Sequence, residues 1–230
     1  MVDLWDSHVR TEGARAWGAY VSDGTLNIKG GSLVSAQHGA IRADGDAVIA
    51  ANNGAQIIGG NGTLLSIANE NNAVSLSMDD RVYAEGDIVG VDSNGDGALR
   101  ASAEVSLSNA SHWKGATNGA VSQLSLAGGD EYNKTTWTMT GDSTVGQLSL
   151  GDGRIEFQTP TTGDFKTLTV TGDFASNGGM LVMNTVLIAL FQVRATRGTA
   201  EVRGAGRSVA QAGALLALAC AQPALTPVGN

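Results

Sequence analysis

Short apolar pairs recur through the first half of the chain, with glycine, asparagine and other polar residues between them. Their first members are six to ten residues apart between Leu26 and Ile88. No helix produces this spacing, and β-hairpins usually need longer strands. Short strands joined by tight corners fit it, about three to a coil of roughly 20–25 residues. The pattern therefore predicts an all-β fold, a parallel β-solenoid. The apolar positions are Leu26/Ile28, Leu33/Val34, Ile41, Val48/Ile49, Ile57/Ile58, Leu64/Leu65, Val74/Leu76, Val82 and Ile88.

The residues between the apolar pairs are suited to corners. Asp44-Gly45, Asn53-Gly54 and the run from Gly59 to Gly62 fall there. Glycine and asparagine tolerate the left-handed backbone conformation that a tight corner needs. Side chains alternate across a strand, so one residue of each pair is expected to point inward and its neighbour outward. The outward positions hold serine, threonine, asparagine, aspartate and small residues, as a solvated strand face should.

A second repeat begins after about residue 100. Leu124 and Leu148 each open a Leu-Ser-Leu segment, and Leu168 opens Leu-Thr-Val. Val105 opens a similar segment, Val-Ser-Leu, ahead of them, and each step between these four positions is about one coil long. One position thus returns once per coil, which predicts that these segments are in register on successive coils.

Two tryptophans show the same interval. Trp113 and Trp137 are spaced as Leu124 and Leu148 are, which predicts rings packed on successive coils; the alternative is a pair of ligand-stacking platforms. Phe157, Phe165 and Phe174 are expected to cover the end of the core.

Composition narrows the possible partners. The chain holds 32 glycines, about double the usual share of roughly 7%, and a net charge of −8. Because phosphate binding needs a basic face, the charge argues against nucleic acid and against an anionic membrane surface. The single cysteine, Cys220, allows no intrachain disulfide. The first six residues, Met1 to Asp6, lack the basic and apolar regions of a signal peptide.

The composition changes abruptly near Val186. Residues 1–185 carry a net charge of −11, whereas residues 186–230 carry +3, with four arginines, one glutamate, no lysine and no aspartate. The apolar pairs and polar corners also stop there. A shifted reading frame would explain this arginine- and alanine-rich tail; the alternative is a genuine capping helix or linker. The alanine-rich stretch from Ser208 to Ala221 predicts a short helix, too short to cross a bilayer.

Residues 134–150 carry the pattern Trp-x-Met…Ser-x-Val-x-x-Leu, formed by Trp137, Met139, Ser143, Val145 and Leu148. With two further segments, this pattern resembles the passenger domains of autotransporters, the pertactin-like, type V secreted proteins of Gram-negative bacteria, which include self-associating adhesins. Residues 165–185 resemble the entry to the C-terminal autochaperone region, and residues 110–115 resemble the preceding turn. Together these matches cover about a third of the chain.

The resemblance implies a right-handed parallel β-helix that a C-terminal β-barrel translocator exports across the outer membrane. It also implies presentation at the cell surface, commonly for adhesion, self-association or resistance to host defences. The signal peptide and barrel are missing from this chain, and the autochaperone match ends near Leu187. We therefore interpret the chain as a passenger fragment whose own export is doubtful.

This interpretation divides the chain into four parts. Residues 1–20 are expected to form an N-terminal edge or capping piece, and residues 21–157 the β-helix passenger. Residues 158–187 start an autochaperone-like region, and residues 188–230 form an irregular or partly helical tail that does not look native to the solenoid.

One segment resembles a calcium loop. The run from Asp92 to Gly97 matches the first half of an EF-hand loop, but Ala103 occupies the twelfth position and Glu104 comes one residue late. A polar corner is the alternative explanation, and it is the one we favour.

The rival function is that of a β-helix enzyme that cuts acidic polysaccharides, a polysaccharide lyase or glycoside hydrolase. Such enzymes cluster carboxylates with a histidine, arginine or lysine. Asp79-Asp80-Arg81 is the one comparable group, with no histidine nearby in sequence and at an expected corner.

The other motifs point to no chemistry. The histidines His8, His38 and His112 are scattered, which makes a metal site or a triad a poor interpretation. The run from Gly59 to Gly62 lacks the helix and the Lys-Ser/Thr of a phosphate loop. We therefore predict no enzyme, no cofactor, and no catalytic, cofactor-binding or metal-binding residue.

The expected function is adhesion, self-association or virulence, carried by the outside of a polar rod that binds host or bacterial surface molecules. The open ends of such a rod expose unpaired strand edges, so this fragment is expected to associate end to end.

Overall fold

The computed structural model describes residues 1–68, 72–92, 99, 101–130, 132–159 and 165–183, together with the backbone of three strands between residues 192 and 211. The strands are β1 Val2–Trp5, β2 His8–Thr11, β3 Ala19–Val21, β4 Gly24–Lys29, β5 Ser32–Ser35, β6 Ile41–Ala43, β7 Ala47–Asn52, β8 Gln56–Ile67, β9 Ala73–Met78, β10 Tyr83–Gly90, β11 Ser102–Leu107, β12 His112–Gly115, β13 Asn118–Leu126, β14 Thr136–Met139, β15 Ser143–Leu150, β16 Arg154–Phe157, β17 Thr167–Val170, β18 Phe174–Ser176, β19 Met180–Met183, β20 Gln192–Thr196, β21 Thr199–Arg203 and β22 Ser208–Gln211. No helix in this part of the chain could cross a membrane.

Two parallel sheets run the length of the molecule. In the first, which we call sheet A, the strand order is β1-β4-β7-β9-β11-β13-β15-β17. In the second, sheet B, it is β2-β5-β8-β10-β12-β14-β16-β19. A third, shorter strip joins β3, β6 and the second half of β8, and continues into β10. Each coil thus adds one strand to both long sheets, and the predicted parallel β-solenoid is confirmed.

Aliphatic side chains of successive coils form the core. On sheet A the register places Leu26, Ile49, Leu76, Val105, Leu124 and Leu148 in one inward column. Every member of this column is at most 4% exposed. Burial of one such side chain contributes about 1.5–3 kcal/mol, so the stacked columns account for a large part of the stability. Mostly small or polar side chains alternate with them on the outer face.

The predicted alignment of Leu124 with Leu148 is confirmed, and so is that of Val105 with Leu124. The predicted alignment of Leu148 with Leu168 is wrong. Leu168 does not follow Leu148 in this column but pairs with Ser143, and Leu148 pairs with Phe174. This coil has two short strands in sheet A, β17 and β18, where the earlier coils have one. The Leu-Thr-Val segment that begins at Leu168 therefore pairs with the first part of β15, and β18 pairs with its last part.

Coil length varies along the solenoid. Val105 pairs with Leu124 on one side and with Leu76 on the other, and the second step is much longer in sequence than the first. The strands stay in register across both steps. Loops on the outside of a solenoid can therefore change length without disturbing its interior.

The two ends differ. β1 and β2 pair in parallel with β4 and β5, so the first residues add a coil of their own. At the other end β21 and β22 pair antiparallel with β17 and β19. The predicted helix is wrong for Ser208–Gln211, because the open edge of sheet B offers strand pairing that outweighs helix propensity. Residues 212–221 lie outside the described residues.

Candidate functional site

A cleft of about 660 Å³ lies at the corner where the chain passes from sheet A to sheet B. Its lining includes Arg81, Asn109, His112, Tyr132, Lys134 and Arg154. These residues come from four successive coils, and Asp80 and Asp130 lie beside them. Because the register stacks one corner on the next, side chains that are far apart in sequence line one surface.

The corners of two coils have left-handed backbone. Asp80 and Arg81 have φ angles of 54° and 63°, and Asn109 and Ala110 have 49° and 65°. The amide of Arg81 donates to the carbonyl of Asn109 at 2.9 Å, so the corners are also tied to each other. The corner predicted at Asp79-Asp80-Arg81 is therefore present.

Residues 129–130 and 132–134 form one wall of the cleft. Gly129 and Lys134 form an isolated antiparallel β-bridge. Oδ1 of Asp130 accepts hydrogen bonds from the backbone amides of Tyr132 and Asn133, at 2.8 and 2.7 Å. These hydrogen bonds, that of the Asn133 amide first, lower the pKa of Asp130. They also fix the turn that holds the Tyr132 side chain outward, 88% exposed.

Asp79 and Asp80, the two carboxylates that a lyase or hydrolase would use, already accept hydrogen bonds from neighbouring side chains. Oδ1 of Asp79 accepts Ser108 Oγ and Asn109 Nδ2, each at 2.7 Å. The Ser108 hydrogen bond is the main reason that the pKa of Asp79 is lowered. Asp80 accepts from Nε of Arg81 at 2.9 Å. Both side chains thus hold the corner together.

His112 corrects the expectation that no histidine lies near Asp79-Asp80-Arg81. It pairs with Tyr83 one coil away and lines the same cleft as Asp80 and Arg81. The separation in sequence concealed it, and only the unusual length of that coil brings it there. An alignment of Tyr83 with His112 across this long coil would have revealed that His112 lies near the corner.

The His112 ring is held by a short polar chain. Its Nε2 lies 2.8 Å from Oγ1 of Thr138, which donates to Glu156 at 3.4 Å. With Thr138 donating onward, the assigned tautomer carries its proton on Nε2. Burial lowers the pKa of His112, so its imidazole is neutral near pH 7.

Two cations complete the cleft. Nη2 of Arg154 contacts Oε1 of Glu156 at 2.6 Å, while its buried Nε has no hydrogen-bond partner among the described residues. Within the described part of the chain, the carboxylate closest to the Lys134 ammonium is that of Asp152, at 3.9 Å. Both cations thus keep donor capacity that these neighbours do not use.

A second polar group continues along the outer face of sheet B. Glu85 accepts from Lys114 at 2.7 Å and from the Tyr83 hydroxyl at 2.8 Å. The Lys114 hydrogen bond contributes most to the lowered pKa of Glu85. Burial first, and Glu85 second, raise the pKa of Tyr83 to about 12. Glu85 therefore stays charged and Tyr83 neutral at physiological pH, and the group links neighbouring coils.

The tryptophan pair belongs to the core. The rings of Trp113 and Trp137 are stacked with centroids 4.8 Å apart and planes 1° apart, and both are fully buried. Their indole N–H groups donate to the carbonyls of Gly86 and Gly115, at 2.9 and 3.0 Å. The packing prediction is confirmed, and the ligand-platform alternative is wrong.

The remaining candidate residues lie apart from this cleft. His8 contacts Ser32, and His38 packs on Trp17 near the start of the solenoid. The glycine run 59–62 lies inside β8. The described residues contain no group of three or more histidine, cysteine, aspartate or glutamate side chains suited to a metal. The calcium-like run falls mostly on residues 93–98, outside the described residues.

Comparison with known proteins finds two similarities. The family described as Autochaperone Domain Type 1 matches residues 143–192, which overlaps the predicted autochaperone-like region. The chain is also 33% identical over 232 aligned positions to the BrkA autotransporter of Bordetella pertussis. That alignment covers 91% of this chain and 22% of the relative, so the chain spans about a fifth of that protein's length.

The alignment bears on the unusual tail. It leaves out less than a tenth of the chain, whereas the segment from Val186 to Asn230 makes up nearly a fifth of it, so the alignment includes part of that segment. The shifted reading frame stays a prediction that the coding DNA would test.

The comparisons and the fold agree. The chain is a parallel solenoid that is similar to an autotransporter along most of its length, and residues 143–192 match the autochaperone family of autotransporter passenger domains.

Proposed function

We propose that this segment is displayed at the cell surface or secreted, and that it acts by binding host or bacterial surface molecules rather than by catalysis. Adhesion, self-association and virulence are the roles that such binding would serve. The observation that carries the proposal is the continuous polar outer face of the two sheets. The core takes up the inward side chains of every coil, so the outer face is the part left for recognition.

The outer face of sheet A supports binding over a large area. Its register produces two ladders of mostly small or polar side chains that run along the solenoid axis. One ladder is Asn27, Ala50, Ser77, Ser106, Ser125 and Ser149; the other is Thr25, Val48, Ser75, Glu104, Gln123 and Gln147. Turn-to-turn backbone pairing holds these side chains in place, so a partner meets a preorganised surface.

The state of the carboxylates argues against hydrolysis. A glycosidase needs one carboxyl group that is protonated as it meets its substrate. The lowered pKa of Asp79 keeps that group ionised, and Asp80 is engaged by Arg81. Neither residue is therefore suited to the part of a general acid.

A cell-binding assay tests the proposal. Beads that carry residues 1–230 should bind mammalian or bacterial cells, whereas beads that carry the heat-unfolded chain should not. The same protein should release no reducing sugar from polygalacturonate. Failure to bind any cell type tested would contradict the proposal.

A second function is favoured by one observation, the neutral imidazole of His112 in a cleft that also holds Arg81 and Lys134. A polysaccharide lyase uses such a base to remove the proton beside a uronate carboxylate, while a cation binds that carboxylate. Unsaturated uronate products from polygalacturonate, lost on His112→Gln, would establish this alternative and refute the binding-only proposal.

A further inference from the structure

We propose that the corner cleft binds an acidic oligosaccharide, one that carries carboxylate or sulfate groups on its sugar rings. The inference rests on the proposed binding function and names a ligand class for it. It follows from a difference between the donors and the acceptors that line the cleft.

The unused hydrogen-bonding capacity of the cleft is cationic. The Lys134 side chain is 27% exposed, and its ammonium lies 3.9 Å from Asp152, beyond hydrogen-bond distance. Arg154 lines the cleft with a side chain that is 38% exposed, and it uses Nη2 to bind Glu156. Arg81 is 69% exposed; its Nε and Nη2 bind Asp80, and the other N–H groups of its guanidinium remain. Donors of this kind bind carboxylate and sulfate oxygens strongly.

The acceptors, in contrast, are already engaged. Both carboxylate oxygens of Asp80 face the guanidinium of Arg81, at 2.9 and 3.4 Å. Oδ1 of Asp130 accepts two backbone amides, and its Oδ2 accepts the side-chain Nδ2 of Asn133 at 3.4 Å. A ligand rich in donors would find few free acceptors here, whereas an anion rich in acceptors would find free donors.

Size and shape favour an oligosaccharide over a small anion. A volume of about 660 Å³ lies within the range of roughly 300–1,000 Å³ that ligand clefts occupy. The lining comes from four coils, and strands are about 4.8 Å apart, so the cleft extends along the axis for the length of several ligand groups. Tyr132 adds an exposed ring against which the apolar face of a sugar can pack.

A peptide strand is a poorer fit. Peptides that add to a sheet need free backbone amides and carbonyls at its edge. Here the amide of Thr136 donates to Ser111 and that of Arg154 to Thr135, at 2.9 and 2.8 Å. Turn-to-turn pairing thus occupies the backbone that a peptide would use, and side chains are what the cleft offers.

The experiment titrates the whole chain with hexagalacturonate and with a heparin-derived hexasaccharide, using calorimetry at low salt. Methyl-esterified hexagalacturonate, which has the same sugar rings without charge, and inorganic sulfate serve as comparison probes. We expect at least one acidic hexasaccharide to bind, and its neutral or monomeric counterpart to bind at least tenfold more weakly. Each charge-assisted contact is worth about 1.5–3 kcal/mol, or about tenfold to a hundredfold in affinity.

Two variants locate the site. Lys134→Gln and Tyr132→Ala should each weaken the acidic hexasaccharide about tenfold. Lys29→Gln removes the same charge elsewhere, and Tyr20→Ala removes a tyrosine that is 59% exposed at the other end of the described solenoid. Both controls should bind as the unaltered chain does. Thermal unfolding of all four variants checks that each is folded.

Several results would overturn the inference. They are the absence of binding by both acidic hexasaccharides, equal binding of the esterified form, binding of inorganic sulfate alone, or full affinity in folded Lys134→Gln and Tyr132→Ala. Cell binding that persists in those variants while no acidic hexasaccharide binds would sink this site and leave the proposed function standing. If no cell type is bound but an acidic hexasaccharide binds as expected, the proposed function falls and the ligand site in the cleft stands.

Discussion

Single glycines decide whether the tryptophan stack can form. The Trp137 indole donates to the carbonyl of Gly115, and the Trp113 indole donates to that of Gly86. A Cβ on Gly115 would lie 2.0 Å from the Gly86 oxygen and 2.7 Å from Nε1 of Trp113. The backbone and a buried ring form these contacts, so neither can move away easily. The large aromatic side chains of the core therefore depend on the smallest residue beside them.

Gly115→Ala should lower the free energy of unfolding by about 1–3 kcal/mol, because overpacking forces the stacked coils apart. Urea denaturation followed by tryptophan fluorescence measures this. Gly141→Ala is the matched control: its new methyl group would meet Ala116 Cβ at 3.3 Å, and a change within about 0.5 kcal/mol is expected. Equal stability of the two variants would show that the close approach at Gly115 is not limiting.

His112 should make stability depend on pH. Burial lowers its folded-state pKa below the ordinary value of 6.5, so the unfolded chain takes up the proton more readily. The stability that neutral His112 contributes is present above about pH 6.5 and is lost as the pH falls through the folded-state pKa. The unfolding free energy of the wild type should therefore drop more between about pH 7.5 and about pH 5.5 than that of His112→Gln.

Proton NMR of the His112 ring provides the check on that interpretation. Its titration midpoint in the folded chain should lie below 6.5. A midpoint at or above the ordinary value, or the same pH slope in the wild type and in His112→Gln, would contradict it.

Strand register is settled at the scale of elements, and it departs from the sequence repeat near the end of the solenoid. β15 pairs with β17 through its first half and with β18 through its second half. Thr144 therefore faces Thr169, whereas the interval from Leu148 to Leu168 would have placed Ser149 there. A coil can divide one strand position between two short strands as long as inward residues still reach the core.

Engineered disulfides distinguish the two registers. In a Cys220→Ser background, Thr144→Cys with Thr169→Cys should oxidise readily, because neighbouring parallel strands bring outward residues within disulfide reach. Ser149→Cys with Thr169→Cys should not. Thiol titration after mild oxidation measures both. Preferential bonding of the second pair would restore the register that the repeat predicts.

At the scale of the whole molecule, the exposed end of the solenoid should drive association of this chain. β1 and β2 end their sheets, and an apolar cavity beside them includes Val2 and Tyr20, which are 56% and 59% exposed. Unpaired strand edges next to apolar surface favour contact between chains. The side faces, with their polar ladders, are less prone to this.

Val2→Lys combined with Tyr20→Lys should reduce association by placing charge on that end. Sedimentation velocity over a range of concentrations should show larger species for the wild type and a greater monomer share for the variant. Val48→Lys, at a site 50% exposed on the side of sheet A, is the control and should behave as the wild type does. A wild type that is monomeric at high concentration would refute the prediction.

The candidate cleft shows how far sequence reasoning could reach. The corner at Asp79-Asp80-Arg81 was predictable, because its polar residues interrupt the apolar repeat. The arrival of His112 was not, because the coil that brings it beside Tyr83 is unusually long and no local pattern sets that length. Lys134 and Arg154 were likewise unremarkable in sequence, and only stacking of the corners places them together.

The amino-acid sequence by itself determined the parallel solenoid, the inward columns, the tryptophan stack and the likeness to autotransporter passengers. Those features depend on the alternation of side chains within a strand and on repeats between coils, and both can be read along the chain. Tertiary structure alone decided the register after Leu148, the antiparallel strands near the C-terminal end and the membership of the cleft. These depend on how many residues each corner takes up and on which strand edge is open, quantities fixed by pairing across distant segments.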